Sequence, residues 1–387
     1  MDRKFEEKKY INWLYHVPGI GRKTMGVILS QGIGVSELYQ MSEGQLLSFC
    51  KQCCGFAEKK AEKTAGNFAA FRKQVMPEKL MEELYEKQIL FLMPDDPEYP
   101  EKLKRIPDAP FALYMMGNKE VARRISGKSV AIVGARECSE YGRCVAKQLG
   151  ECCAALGLAV VSGMAYGVDG VAQYAALKEG ATVAAVLGSG VDVCYPPSNQ
   201  RLYDSLLGNG CVFSEYVPGT EPKSSNFPPR NRIISGMSDA LIVVEAREKS
   251  GTLITVDMAL EQGKDVYVVP GRVSDPMSRG CNRLIKQGAI MVCNVEEALE
   301  EIAGCVLQKT ETEQGERRRN PYPPNSLRYA IGRAIEMEPK SVQQIFESPV
   351  WEEEGVERPV IATLQTELFY MQVEGNVCEA EGRYELV

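Results

Sequence analysis

The chain has 387 residues, 44% of them apolar and 25% charged, and a formal net charge of -7. This is the make-up of a folded globular protein with room for two or three domains, and it excludes a disordered chain and a generally basic polyanion-binding coat. The charge is uneven: residues 326–387 hold 5 Lys+Arg against 12 Asp+Glu and so carry the whole acidic excess, leaving the rest balanced and free to form a local basic cleft.

Residues 1–75 read as helical, without strand alternation. Within them "HVPGIGRKT" (16–24) has the glycine spacing of a helix-hairpin-helix turn. Gly19 and Gly21 would let turn amides approach a phosphate, with Arg22 and Lys23 following, so these four residues are a possible secondary DNA contact. A tight connection between helices is the plainer alternative. Residues 76–128 are proline-rich and read as a connecting region leading into the central domain.

From Ser129 short apolar runs recur, each followed by a glycine-containing turn and a helical pattern: "VAIVGA", "LAVVSG", "TVAAVLG", "CVFSEY", "ALIVVEA", "DVYVVPG" and "AIMVC". Near-continuous Val/Ile/Ala strands are buried on both faces, as a parallel sheet covered by helices requires. Residues 129–305 are therefore expected to form a doubly wound, mostly parallel Rossmann-like α/β domain. The polar segment 306–325 reads as a linker. Beyond it, in 326–387, helices near 327–337, 341–346 and 358–372 and a final hairpin predict a winged-helix-like domain. Its third helix is acidic and apolar, which points to contact with protein or to regulation more than to duplex DNA.

The thirteen cysteines include the adjacent pairs Cys53-Cys54 and Cys152-Cys153, which are poor disulfide partners. With no signal peptide and no long apolar run, reduced thiols, a cytoplasmic location and no membrane association are expected. The single histidine, His16, cannot anchor a histidine-rich metal site. No metal or cofactor is expected.

In an open α/β sheet, ligands sit beyond the carboxyl ends of the strands. The first such end, "GARECSEYG" (134–142), is not a dinucleotide fingerprint, because Arg136 stands where the second glycine would be; the second, "SGMAYGVDG" (162–170), has no acidic residue placed for a ribose diol. Arg136 instead offers a charged planar fork and Ser139 can cap the next helix. Farther on, "VVEAREKSGTLIT" (243–255) supplies Arg247 and Lys249 and then Ser250, Gly251 and Thr252 as an anion nest. "KSSNFPPRNRIISG" (223–236) adds Lys223, Phe227, Arg230, Asn231 and Arg232. Phe227 can stack on an unpaired base, two prolines stiffen the backbone before the helix, and the arginines can meet successive phosphates. The alternative is Phe227 in the core, with the arginines paired to Glu215 or Glu221.

These stretches, with "GSGVDVCYPPSN" (188–199), "SEYVPGTEP" (214–222) and "GCNRLIKQGA" (280–289), occur together and in order, and the sequence resembles the DNA-processing protein A family (DprA, also called Smf). The resemblance covers nearly the whole α/β domain. It implies a homodimeric, non-enzymatic single-stranded DNA-binding protein that protects incoming DNA and loads the RecA recombinase in natural transformation and recombination. It assigns strand binding to Arg136, Lys223, Phe227, Arg230 and Asn231, with Ser139, Ser162, Gly163, Arg232, Lys249, Ser250, Gly251 and Thr252 as neighbouring contacts. It also implies a SAM-like fold for the N-terminal helices. The competing reading is a nucleotide-processing enzyme related to nucleoside monophosphate phosphoribohydrolases. Those carry a catalytic glutamate just after a similar nest, whereas this chain has Thr255 at that place.

Overall fold

The computed structural model describes residues 3–305, 320, 322–336, 339–380 and 382–386. Of the expected linker, residues 306–319 and 321 lie outside the described residues, and Tyr322 already packs on the C-terminal core.

Nine strands make one sheet: β1 (Leu90–Leu92), β2 (Leu113–Gly117), β3 (Ser129–Val133), β4 (Ala159–Ser162), β5 (Val183–Val186), β6 (Cys211–Ser214), β7 (Ala240–Val243), β8 (Asp265–Val268) and β9 (Ile290–Met291). Their order is β1-β2-β6-β5-β4-β3-β7-β8-β9. The seven from β3 to β9 pair in parallel, while β2 runs antiparallel to both β6 and β1. The sheet thus starts before Ser129, and the segment expected only as a connection contributes two of its strands. "PFALYMMG" carries the apolar run of a strand, which the prolines upstream obscured.

Successive residues of each strand feed opposite faces. Val130, Ile132, Val160, Ala185, Val212 and Ile242 face one core, while Ala131, Val133, Val161, Ala184, Val186, Leu241 and Val243 face the other. The first core is shared with the helices of the N-terminal region: Trp13, Leu14, Phe68, Leu80 and Leu84 join Phe91 and Tyr114 from β1 and β2. Helix Pro77–Glu86 belongs to this group, so the helical unit extends past residue 75. The second core is covered by helices Phe227–Gly236 and Gly251–Glu261 through Ile233, Ile234, Val256 and Ala259.

Helices Glu140–Ala155 and Val168–Lys178 lie side by side on the first face, and glycine sets their approach. A methyl group on Gly150 would lie 2.4 Å from the Ala172 carbonyl oxygen and 2.9 Å from the Ala176 nitrogen. The C-terminal unit comprises helices Leu327–Ile335, Val342–Phe346, Val350–Glu353 and Ile361–Val373 and a hairpin of β10 (Val377–Ala380) and β11 (Arg383–Leu386), packed on Trp351, Ile331, Leu364 and Leu368.

Replacing Gly150 by alanine is expected to destabilise the protein by about 2 kcal/mol, because the backbone atoms it would strike cannot rotate away and the loss outweighs the gain in helix propensity. Urea unfolding checks this. Unchanged stability would mean that the two helices part freely.

Candidate nucleic-acid interface

The loops after β3, β4 and β5 converge with the start of helix Phe227–Gly236 around a shallow recess lined by Arg136, Tyr166, Gly188, Tyr195, Phe227 and Arg230. The helix begins at Phe227 itself, with Pro228 and Pro229 in its first turn, where the missing N–H groups have no intrahelical partner to lose. The two prolines therefore stiffen the first turn and not the backbone leading to it. Phe227 is half-buried. Its ring has the Tyr195 ring 5.5 Å away and the Arg136 and Arg230 guanidinium carbons at 5.3 and 5.7 Å from its centre. It sits against Gly188, where a methyl group would come within 2.8 Å of the ring.

Two arginines in this recess have different tasks. Arg136 is exposed and has no ion-pair partner among the described residues. Arg230 is 5% exposed and bonds to the carbonyl oxygens of Gly163 (3.0 Å) and Val186, and to Asn231 Oδ1 at 3.1 Å. Burial pushes its pKa down to about 10, against the opposing charge of Asp169, so it remains a cation at neutral pH. Asp169 is itself buried, which raises its pKa against the pull of Arg230, and it accepts the Gly163 N–H at 3.1 Å. Arg230 therefore braces the loops and supplies positive potential from below; Arg136 is the one free to reach a phosphate.

Gly167, at φ +73°, lets the β4 loop pack under the Arg136 loop, for a methyl group there would lie 2.3 Å from the Ala135 carbonyl. Asn199 clamps the same loop by donating to the Met164 and Ala165 carbonyls at 3.0 and 3.2 Å.

Several expected contacts are committed elsewhere. Arg232 is 4% exposed, makes a two-pronged pair with Glu215 at 2.8 and 2.9 Å and touches Asp108 at 3.2 Å, so it is a buried structural cation and not a phosphate ligand. Ser162 is fully buried and donates to the Ile132 carbonyl at 2.6 Å. Gly163 has both backbone groups occupied, and a methyl group there would lie 2.7 Å from the Arg230 guanidinium. Ser139 caps helix Glu140–Ala155 and donates to Glu245. Ser250 caps the next nest by accepting from the Thr252 N–H at 3.2 Å, while the Thr252 hydroxyl bonds to the Gly134 carbonyl, also at 3.2 Å. That last bond brings the nest beside the β3 loop.

Lys223, Lys249 and Gly251 are exposed, and neither lysine has an ion-pair partner among the described residues. In the helical unit Gly21 and Lys23 are exposed, and Gly19 takes φ +81°. Arg22, however, pairs with Asp108, which ties it to the Arg232 cluster and away from a ligand. Thr255, at the place a hydrolase would need a carboxylate, is buried in its helix.

The site residues missed in the sequence are Asp169, Glu245 and Tyr166. Tyr166 was legible as an aromatic in a glycine-rich strand-end loop. The two acids were not, since only the folded loops show which groups they face.

The site is thus an α/β sheet whose strand-end loops hold an exposed arginine over an aromatic ring, without a dinucleotide cradle. The profile of the family described as "DNA recombination-mediator protein A" matches residues 90–303, and the chain belongs to that family. The DNA processing protein DprA of Streptococcus pneumoniae is 42% identical over 205 residues, 52% of this chain and 71% of that protein. Its crystal structure is similar with a TM-score of 0.62 at 34% identity, covering 76% of this chain and 97% of that one. Protein Smf of Synechocystis is 36% identical over 263 residues, 67% of this chain but only 65% of the relative's own length. DNA processing protein A of Helicobacter pylori, whose structure addresses a single-stranded DNA binding mode, is similar with a TM-score of 0.51 at 28% identity, covering 56% of this chain and 96% of that one.

Arg232→Ala is expected to cost about 3–5 kcal/mol of stability by leaving the buried Glu215 without its cation. Arg136→Ala should leave the unfolding midpoint nearly unchanged. Equal effects of the two in urea titrations would contradict the division of labour between them.

Proposed function

We propose that the recess and its rim bind single-stranded DNA, and that the protein acts in recombination by holding such strands for RecA recombinase. The observation that carries this reading is Arg136, exposed and without an ion-pair partner among the described residues, 5.3 Å from the centre of a half-buried phenylalanine ring. An unpaired base offers a face to Phe227 or Tyr166, and its backbone can then follow Arg136, Lys223 and Lys249 along the rim. Duplex DNA keeps its base faces stacked and cannot use the ring. Membership of a recombination-mediator family and the strand-binding Helicobacter relative support the same reading.

The finer elements are proposals of the same kind: a homodimer, a cytoplasmic location, protection of incoming DNA in natural transformation, and loading of RecA. No described helix is long and apolar enough to cross a membrane. We read the N-terminal helices as SAM/helix-hairpin-helix-like and the C-terminal unit as winged-helix-like. The nucleotide-hydrolase alternative is disfavoured by the buried Thr255 hydroxyl where a carboxylate is needed.

Fluorescence titration of oligonucleotides at several salt concentrations tests the proposal. Unpaired strands should bind more tightly than duplex, with Phe227→Ala costing about 1–3 kcal/mol at little change in salt slope. Arg136→Ala should weaken binding for all sequences and lower the slope of log K against log salt by about one. Equal affinity for duplex and single strand would overturn the assignment, as would release of free base from nucleoside monophosphates at enzyme-like rates. For the RecA step, the wild type should stimulate strand exchange on DNA coated with single-strand-binding protein, and Arg136→Ala should not.

A further inference from the structure

Doubly wound sheets hold ligands where the chain order reverses. Here that point lies between β3 and β7, neighbours in the sheet although β4, β5 and β6 intervene in sequence. Helix Glu140–Ala155 follows β3, and the free N-terminus of such a helix is an anion seat. In this chain the seat is filled from within. Glu245, two residues beyond β7, is 2% exposed and accepts the Ser139 N–H at 2.9 Å and the Ser139 hydroxyl at 2.5 Å. The same hydroxyl accepts the Gly142 N–H at 3.1 Å.

Glu245 has no ion-pair partner among the described residues, so its charge is met by these donors and by the helix dipole. Residue 142 makes room for it: a methyl group on Gly142 would lie 2.4 Å from Glu245 Oε2. Burying a carboxylate without a cation is costly unless hydrogen bonds to it compensate. What it holds is the loop of residues 134–139, whose exposed members are Arg136 and Glu137.

We propose that Glu245 is a positioning residue for strand binding: by occupying the helix N-terminus beside β3 it fixes the 134–139 loop so that Arg136 projects over Phe227. The proposal rests on the strand-binding reading above. Glu245 itself touches no ligand. It acts through Ser139 and the loop backbone, and its contribution passes entirely through Arg136.

A double-mutant cycle on the full-length protein, read by fluorescence anisotropy of a labelled thymidine oligonucleotide, tests this. Glu245→Gln puts an amide donor where Ser139 needs an acceptor. Gly142→Ala leaves Glu245 and Ser139 in the chain and sets a methyl group 2.4 Å from the Glu245 carboxylate, so it carries the test should Glu245→Gln fail to fold by circular dichroism. Each folded variant is expected to weaken binding about fivefold in the wild-type background and less than about twofold when Arg136 is already alanine, the non-additivity of residues that act as a unit. Wild-type affinity in a folded variant overturns the proposal, and so does a loss that multiplies with that of Arg136→Ala. If the wild type itself fails to bind the oligonucleotide, it is the strand-binding reading that fails.

Discussion

A single buried guanidinium organises the rim of this sheet. Arg230 reaches from helix Phe227–Gly236 to the carbonyls at the starts of two neighbouring loops, Gly163 after β4 and Val186 at the end of β5, and faces Asp169 across them. Loops at strand ends carry unpaired carbonyls that need donors. Arginine can satisfy several at once because its five N–H groups diverge from one rigid plane. With Arg230 in place the ring of Phe227 has a floor, the glycines at 163 and 188 have a reason to lack side chains, and Arg136 has a surface to lie across. The helix, its buried cation and the loops form one unit.

The same economy of donors explains why this α/β domain differs from a nucleotide-binding one. In a nucleotide-binding fold the helix N-termini at the strand ends are left open for phosphate. Here the helix after β3 is closed by Ser139 and Glu245, and the helix at Gly251 is capped by Ser250. The first turn of the Phe227 helix lacks the N–H groups of its two prolines. Positive charge is offered instead by the exposed side chains of Arg136, Lys223 and Lys249.

Most of the architecture was legible in the sequence because buried parallel strands announce themselves as Val/Ile/Ala runs, and β3 to β9 all fall on such runs. The two strands before Ser129 were obscured by neighbouring prolines, whose local message of irregular backbone drowned a five-residue strand. In the site, residue type gave the right inventory and not the right partition. Arg136 and Arg232 read alike in sequence, each near glycine or proline and each beside a helix start. What separates them is Glu215, seventeen residues away in the chain and 2.8 Å away in space. Pairing across such a distance is decided by the fold, and so were the inward orientations of Ser162, Asp169 and Glu245.

The placement of Phe227 has a thermodynamic consequence. Its backbone opens a helix stiffened by Pro228 and Pro229, and its ring is already confined by Gly188, Tyr195 and Arg230. If a nucleobase settles on it, as proposed above, little protein motion would remain to be frozen and most of the entropic penalty of association would fall on the incoming polymer. On the strand-binding reading proposed above, a strand already held extended would pay less of that penalty than a slack one.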